Sequence, residues 1–232
     1  MLVRPAGDAL AVYLTRRSSR SRFMPDAYVF PGGAVDPVDR AAAANGTLFG
    51  TTAAPDPALA AAALRELFEE AGILLARDAA GRPARPDAAA FAALRTETLA
   101  GEPLAASLEH HGLRLDASAL TYYSNWITPQ SEPIRFDAHF FIARAPGDQV
   151  AAADAIEVHD GVWMRPAEAL AGADRGEMTV RFPTRKHLLR LARFADIDAL
   201  LEHARSRTAI APVMPLARDF DAFELAGGPD AW

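Results

Sequence analysis

Strand-like and helical segments alternate along this chain in an order that predicts an α/β (α+β) fold, with a mixed sheet held between helices. Three observations lead there. Short apolar stretches at 9–15, 120–127, 134–143 and 156–164 carry the period-2 character of half-buried strands. An alanine-rich helix over 57–71 has sharp signals at both ends. Helical patterning returns at 87–111 and again at 184–204, so the helices are dispersed among the strands.

The elements follow in order. Ala9 to Thr15 is rich in apolar residues and reads as a core strand, and Tyr28 to Phe30 as a short strand entering the turn Pro31-Gly32-Gly33. The stretch from Asp39 to Asp56, alanine-rich and then passing through Asn45-Gly46-Thr47, reads as a loop. Asp56-Pro57 is an N-cap followed by proline at the first helical position, and Gly72 suits the left-handed residue that ends a helix. Apolar Ile73-Leu74-Leu75 follows, then a turn-rich segment at 78–86. The helical segment 87–111 has few large apolar residues and reads as a lid or subdomain packed on the core. In 134–143, Phe136, Ala138, Phe140 and Ile142 share one face, with Arg135, Asp137 and His139 on the other. Pro166 to Leu170 begins a short helix. A helical tail over 184–204 presents Leu188, Leu189, Leu191, Leu200 and Leu201, and residues 207–232 read as a strand and an extended tail.

Bulk properties narrow the class. A chain of 232 residues can bury one good-sized core, or one domain with insertions. There is no cysteine, which excludes disulfides, thiolate metal sites and cysteine nucleophiles. The formal net charge of −6 argues against a nucleic-acid binder, and no apolar run approaches the ~20 residues of a membrane span. A basic start followed by an apolar run is lacking at the N-terminus, so the expected compartment is cytoplasmic. Against the acidic background, Arg16, Arg17, Arg20 and Arg22 form a local basic cluster. It reads either as a solvated loop or as a contact for a phosphorylated substrate.

The most informative residues are Arg65-Glu66-Leu67-Phe68-Glu69-Glu70-Ala71-Gly72-Ile73. Glu66, Glu69 and Glu70 stand at i, i+3 and i+4, which brings their carboxylates together on one turn. One reading is a solvated acidic face eased by the Arg65–Glu69 pair. The other is a site for a hard divalent cation, Mg²⁺ or Mn²⁺, which prefers oxygen ligands and shares them with water or phosphate.

Together with Phe30-Pro31-Gly32-Gly33, this turn resembles the signature of the Nudix hydrolases. Residues 65–73 match every specified position of the second half of that box. Asp39 stands in the slot of the family's first Glu, and residues 40–64 occupy a spacer that in the family holds about seven. Leu14-Thr15-Arg16-Arg17-Ser18, Arg22 and Phe30 to Gly33 further resemble the extra signature of the coenzyme A diphosphatase branch. Asp26 stands where that pattern has Gly, and Tyr13 where it has Leu.

The resemblance implies the α/β/α sandwich of the Nudix fold over 1–232, with insertions at about 40–56 and 78–115 and an extension from about 184. It implies that Glu69 and Glu70 ligate metal, and that Glu66 joins them or orients a water. Arg65 would hold the acidic turn, and Arg17 and Arg22, with Gly32 and Gly33, would meet substrate. Asp39 is a structural ion pair, an exposed loop residue or part of the catalytic set. Family members also recruit a distant acid, for which Asp137 and Glu157 are candidates beside their reading as solvated strand residues. His110, His111, His139 and His159 lack a supporting constellation for metal. Trp126 and Phe141 read as core positions or as a stack for adenine. The implied reaction is hydrolysis of a diphosphate linkage in coenzyme A or an acyl derivative, with no nucleic-acid or membrane partner. The alternatives are ADP-ribose, NADH or dinucleoside polyphosphates as substrates, or a non-catalytic nucleotide sensor. A homodimer is compatible with the family.

Overall fold

The computed structural model describes residues 1–20, 24–85, 87–153, 158–207 and 209–216. In chain order its strands and helices are β1 (Leu2–Ala6), β2 (Ala9–Arg17), β3 (Ala27–Val29), α1 (Pro37–Ala44), β4 (Leu48–Phe49), α2 (Pro57–Ala71) and β5 (Ala76–Asp78). There follow α3 (Ala88–Leu99), α4 (Leu104–His110), β6 (Leu113–Asp116), β7 (Thr121–Ile127), β8 (Asp137–Arg144) and β9 (Val158–Met164). Last come α5 (Pro166–Asp174), β10 (Thr179–Val180), α6 (Phe182–Leu191), α7 (Ile197–Ser206) and β11 (Pro212–Val213). Two compact units result.

The first unit takes Met1–Phe30, Thr121–Arg144 and the chain from Val162. Its sheet runs β10-β3-β2-β1-β8-β7-β11, with β9 pairing β2. The sheet is mixed: β1 is antiparallel to β2 and parallel to β8. Helices α5 and α7 pack on the strands, and Val3, Val12, Leu14, Tyr123, Ile142, Leu188, Leu191, Leu200 and Leu201 form the core. The sequence reading missed β1, whose two N-terminal residues are buried but whose run is too short to show a period. It also joined α6 and α7. The helix stops at Leu191 and restarts where the Asp196 carboxylate accepts the Ala199 N–H.

Strand β7 carries a bulge between Tyr122 and Ser124. On one face Phe140, Ile142, Ser124 and Trp126 turn to the core. On the other, Asn125 pairs with His139. Phe136 was expected to share the face of Ala138, Phe140 and Ile142, but β8 begins only at Asp137, and Phe136 stands 47% exposed where Thr128 N–H bonds its carbonyl. Within this core His187 is completely buried. Its Nδ1–H donates to Pro183 O at 2.6 Å, since a carbonyl can only accept, so Nε2 accepts from Ser124 Oγ at 2.8 Å. Burial pushes the His187 imidazole down to about 3, so the ring stays neutral.

The second unit takes Pro31–Leu120 and Ala145–Gly161. Helices α1, α3 and strand β6 surround α2, and a small sheet runs β4-β6-β5. The α2 helix forms as the sequence predicts. Asp56 accepts the Ala58 N–H, Pro57 occupies the first position, and Gly72 closes the helix at φ 63°. Leu64 and Phe68 are each 1% exposed, a burial that stabilises by about 1.5–3 kcal/mol per side chain.

The stretch expected as a loop between Asp39 and Asp56 instead contains α1 and β4. Asp36-Pro37 is a second N-cap and proline pair, and the Asp39 carboxylate reaches back to the Asp36 N–H at 2.8 Å. The alanines at 41–44 then propagate the helix until Asn45-Gly46 ends it. The segment at 87–111 is two helices, α3 and α4, capped at the start by Asp87.

Candidate active site

The last turn of α2 is organised around a single guanidinium. Arginine has five N–H donors in a fixed plane, and Arg65 uses all of them. Its Nε and one Nη2–H donate to the two oxygens of Asp39 at 3.0 and 2.9 Å, and the second Nη2–H to Ala34 O at 3.0 Å. Its Nη1 donates to Glu66 and to Glu69, each at 2.8 Å. Asp36 lies 3.8 Å away. The Arg65 side chain is only 9% exposed and Asp39 only 3%, so this pair is held out of water. Burial alone would lower the Arg65 pKa, but the Asp39 bonds and the Glu66 and Glu69 charges outweigh it and hold the guanidinium well above its ordinary value. Asp39 is therefore the clamp on Arg65 and not an exposed loop residue.

Glu70 is buried and accepts the Gly32 N–H at 3.0 Å. The two glycines before α1 serve for different reasons. Gly32 has φ 153°, which disfavours a side chain on conformational grounds. Gly33 leaves room, because a Cβ there would fall 2.3 Å from Glu66 Oε1. The Gly-Gly turn and the acidic turn of α2 are thus pressed together, with backbone and carboxylate oxygens lining the contact.

Among the described residues no three His, Asp or Glu side chains already close on one point as a metal cluster. The donor set nevertheless has the chemistry of a hard-cation site. It is all oxygen, and among the described residues Asp36, Asp39, Glu66, Glu69 and Glu70 gather five carboxylates around this turn. Such an oxygen set, with Glu69 30% exposed at its rim, suits a hard divalent cation.

A fold with this acidic helix turn behind a Gly-Gly turn is that of a Nudix hydrolase. The structure of a Nudix hydrolase from Alicyclobacillus acidocaldarius superposes with a TM-score of 0.78 at 30% identity, covering 91% of this chain and 96% of that one. The sequence profile of the NUDT19 Nudix domain matches residues 43–191, more than half of the chain, and the chain belongs to that family. The human acyl-coenzyme A diphosphatase NUDT19 is 29% identical over 240 residues, or 84% of this chain and 64% of that protein. Its Gallus gallus counterpart is 29% identical over 245 residues, or 83% and 64%. The chain thus spans less than two thirds of the length of these curated relatives.

The remaining sequence candidates fall as follows. Arg17 ends β2 half-buried, Arg20 is exposed, and Arg22 lies outside the described residues. Arg16 pairs with Asp26 at 2.8 Å. Asp26 has φ 59°, a left-handed backbone, which accounts for glycine at this position in the coenzyme A pattern and for aspartate as a tolerated substitute. Asp137 accepts from Asn125 Nδ2 at 2.8 Å and lies 3.4 Å from His139, within the sheet unit. Glu157 and the side chain of His159 lie outside the described residues. His110 and His111 end α4 on the surface. Trp126 and Phe141 are 3% and 5% exposed, and Trp126 packs edge-on to Phe182, so both are core positions. No helix among the described residues is long and apolar enough to cross a membrane.

Proposed function

We propose that this chain hydrolyses a diphosphate linkage in a nucleoside diphosphate derivative, with coenzyme A or acyl-coenzyme A as the preferred substrate and Mg²⁺ or Mn²⁺ as cofactor. The observation that carries the reading is the saturated Arg65 clamp, which fixes Glu66 and Glu69 on one helical turn beside the Gly32–Glu70 bond. The names of the NUDT19 relatives and the resemblance of residues 14–33 to the coenzyme A signature support the substrate.

When bound, the divalent cation supplies charge neutralisation at the diphosphate oxygens and a more acidic water. Glu69 and Glu70 would hold it, joined by Glu66 as a third ligand unless Glu66 serves the water. Where Glu66 is not a third ligand, its carboxylate, at 12% exposure against Gly33, is the group to orient the attacking water and accept its proton. Arg65, with its donors committed to Asp39, Ala34, Glu66 and Glu69, positions these carboxylates and does not touch substrate. The Gly32-Gly33 backbone lets the diphosphate come close without a side chain in the way. With a coenzyme A substrate the products are a 3′-phosphorylated nucleoside monophosphate and a phosphopantetheine.

The test is a hydrolysis panel of coenzyme A, acetyl-coenzyme A, ADP-ribose, NADH and diadenosine polyphosphates, with Mg²⁺ or Mn²⁺ and then with EDTA. Preferred cleavage of the coenzyme A compounds, lost in EDTA and restored by the cation, is the expected result. Preference for another substrate refutes the coenzyme A assignment, and turnover that survives EDTA refutes the metal assignment.

A further inference from the structure

In the second unit, strand β5 turns back on itself before the chain enters α3. Gly81 N–H donates to Asp78 O at 2.9 Å, Asp78 N–H to Arg82 O at 3.0 Å and Ala84 N–H to Ala76 O at 2.8 Å, which closes residues 76–84 into a hairpin. Strand β6 pairs with β5 on its other side, Leu113 opposite Asp78. Helix α3 turns Phe91 onto Phe68 of α2, and its neighbouring face carries Ala90 and Leu94, one turn apart. Between these elements and the end of α4 lies a groove of about 710 Å³. Small-molecule sites usually measure ~300–1,000 Å³. None of the α2 carboxylates lines this groove.

The lining divides into two chemistries. Pro83, Ala84, Ala90, Leu94 and Leu113 are its apolar part, with Leu94 wholly buried. All five are aliphatic. A nucleobase would find no ring to stack on, whereas a hydrocarbon chain gains by leaving water on such a surface. The polar part is Asp78, Arg82, Arg85 and His111, two guanidiniums and an imidazole beside one carboxylate. That carboxylate is already answered, because it accepts the Ala80 N–H, the Arg82 N–H and the Arg82 Nε–H, each at 2.9 Å. Arg82 gives Nε and Nη2 to this pair, and its Nη1 has no hydrogen-bond partner among the described residues. Arg85 meets Asp148 at 3.3 Å with 79% of its side chain exposed, a surface pair that an incoming anion can displace. In a chain of net charge −6, a groove with this sign of charge favours an anion.

We propose that the groove binds an aliphatic carboxylate, its chain on Leu94 and Leu113 and its head between Arg82 and Arg85. Guanidinium and carboxylate are planar, two-point partners. The hairpin, closed by its own hydrogen bonds, pre-forms the site. The groove is separate from the acidic turn of α2, and its occupancy does not depend on the diphosphatase reading.

Calorimetric titration of decanoate, below its micelle concentration, tests this on wild type, Arg82→Gln, Arg85→Gln and Ala90→Glu, with the melting temperature of each. Decyltrimethylammonium and inorganic phosphate are titrated alongside. Wild type is expected to bind one decanoate per chain and neither control. Arg82→Gln and Ala90→Glu should raise Kd about tenfold or more, and Arg85→Gln about threefold. Ala90→Glu keeps both arginines and gives them a carboxylate of the protein's own, so it tests the site where Arg82→Gln loosens the hairpin. No binding of decanoate to wild type overturns the proposal, and so does an unchanged Kd in Ala90→Glu. Phosphate or decyltrimethylammonium binding as tightly as decanoate overturns it too. Binding must also survive EDTA and Glu70→Gln, since loss in either would place the ligand on the acidic turn. A failed hydrolysis panel leaves each of these outcomes readable.

Discussion

Removing the Asp39 carboxylate is the sharpest probe of the Arg65 clamp. Asp39→Ala strips partners from two guanidinium N–H groups that sit beneath a side chain only 9% exposed, and from the Asp36 N–H at the head of α1. Two buried donors left unmet cost about 1–3 kcal/mol each, and a lost cap costs about 1 kcal/mol. The sum is about 3–7 kcal/mol, and the ~3–5 kcal/mol typical of breaking one side of a buried ion pair sets the expected loss at about 4 kcal/mol. In a chain of this size that lowers the melting temperature by roughly 10 °C. Asp39→Asn keeps one acceptor but turns an NH₂ toward Arg65, so it should lose nearly as much. Urea and thermal unfolding of the three proteins measure this directly. A loss below about 1 kcal/mol in both variants would refute the reasoning, because it would mean that the glutamates and Ala34 O suffice to fix Arg65.

Three further outcomes are expected. Glu70→Gln keeps an oxygen for the Gly32 N–H, so its melting temperature should match wild type while kcat falls on the order of 100-fold or more. Gly33→Ala forces the Glu66 carboxylate to move by about 1 Å and loosens its bond to Arg65, which should lower kcat/KM roughly 100-fold and cost about 1–3 kcal/mol in thermal unfolding. His187, at about 3 in the fold against about 6.5 unfolded, binds its proton more readily in the unfolded chain. Its contribution is therefore complete above pH 6.5 and is lost toward pH 3, with a slope of about 1.4 kcal/mol per pH unit that His187→Gln should abolish in urea unfolding measured across that range.

Legibility in the sequence followed the locality of the interactions. The α2 helix was readable because its cap, its proline, its alanines and its terminal glycine are neighbours in the chain. The acidic turn was readable because i, i+3 and i+4 fix side-chain proximity whatever the tertiary context. Asp39 was not settled, since its partner is 26 residues away and only the folded α1 brings them together. The cap signal of Asp36-Pro37 was present and would have put Asp39 at the third position of a helix. The bulge in β7 decides which residues of that strand face His187, and a strict period of two cannot anticipate it.

The clamp also bears on how the spacer inside the Nudix box could grow. Residues 40–64 separate Asp39 from Arg65, three to four times the length of the family's spacer. For a flexible loop the closure entropy rises only with the logarithm of length, so this elongation adds about 1 kcal/mol. A bidentate ion pair at the base of the loop, whose rupture costs several times that amount, holds the two ends in register. The acidic turn is thereby insulated from events in the loop. The intervening chain carries the rest of α1 and β4 without disturbing the geometry at its base.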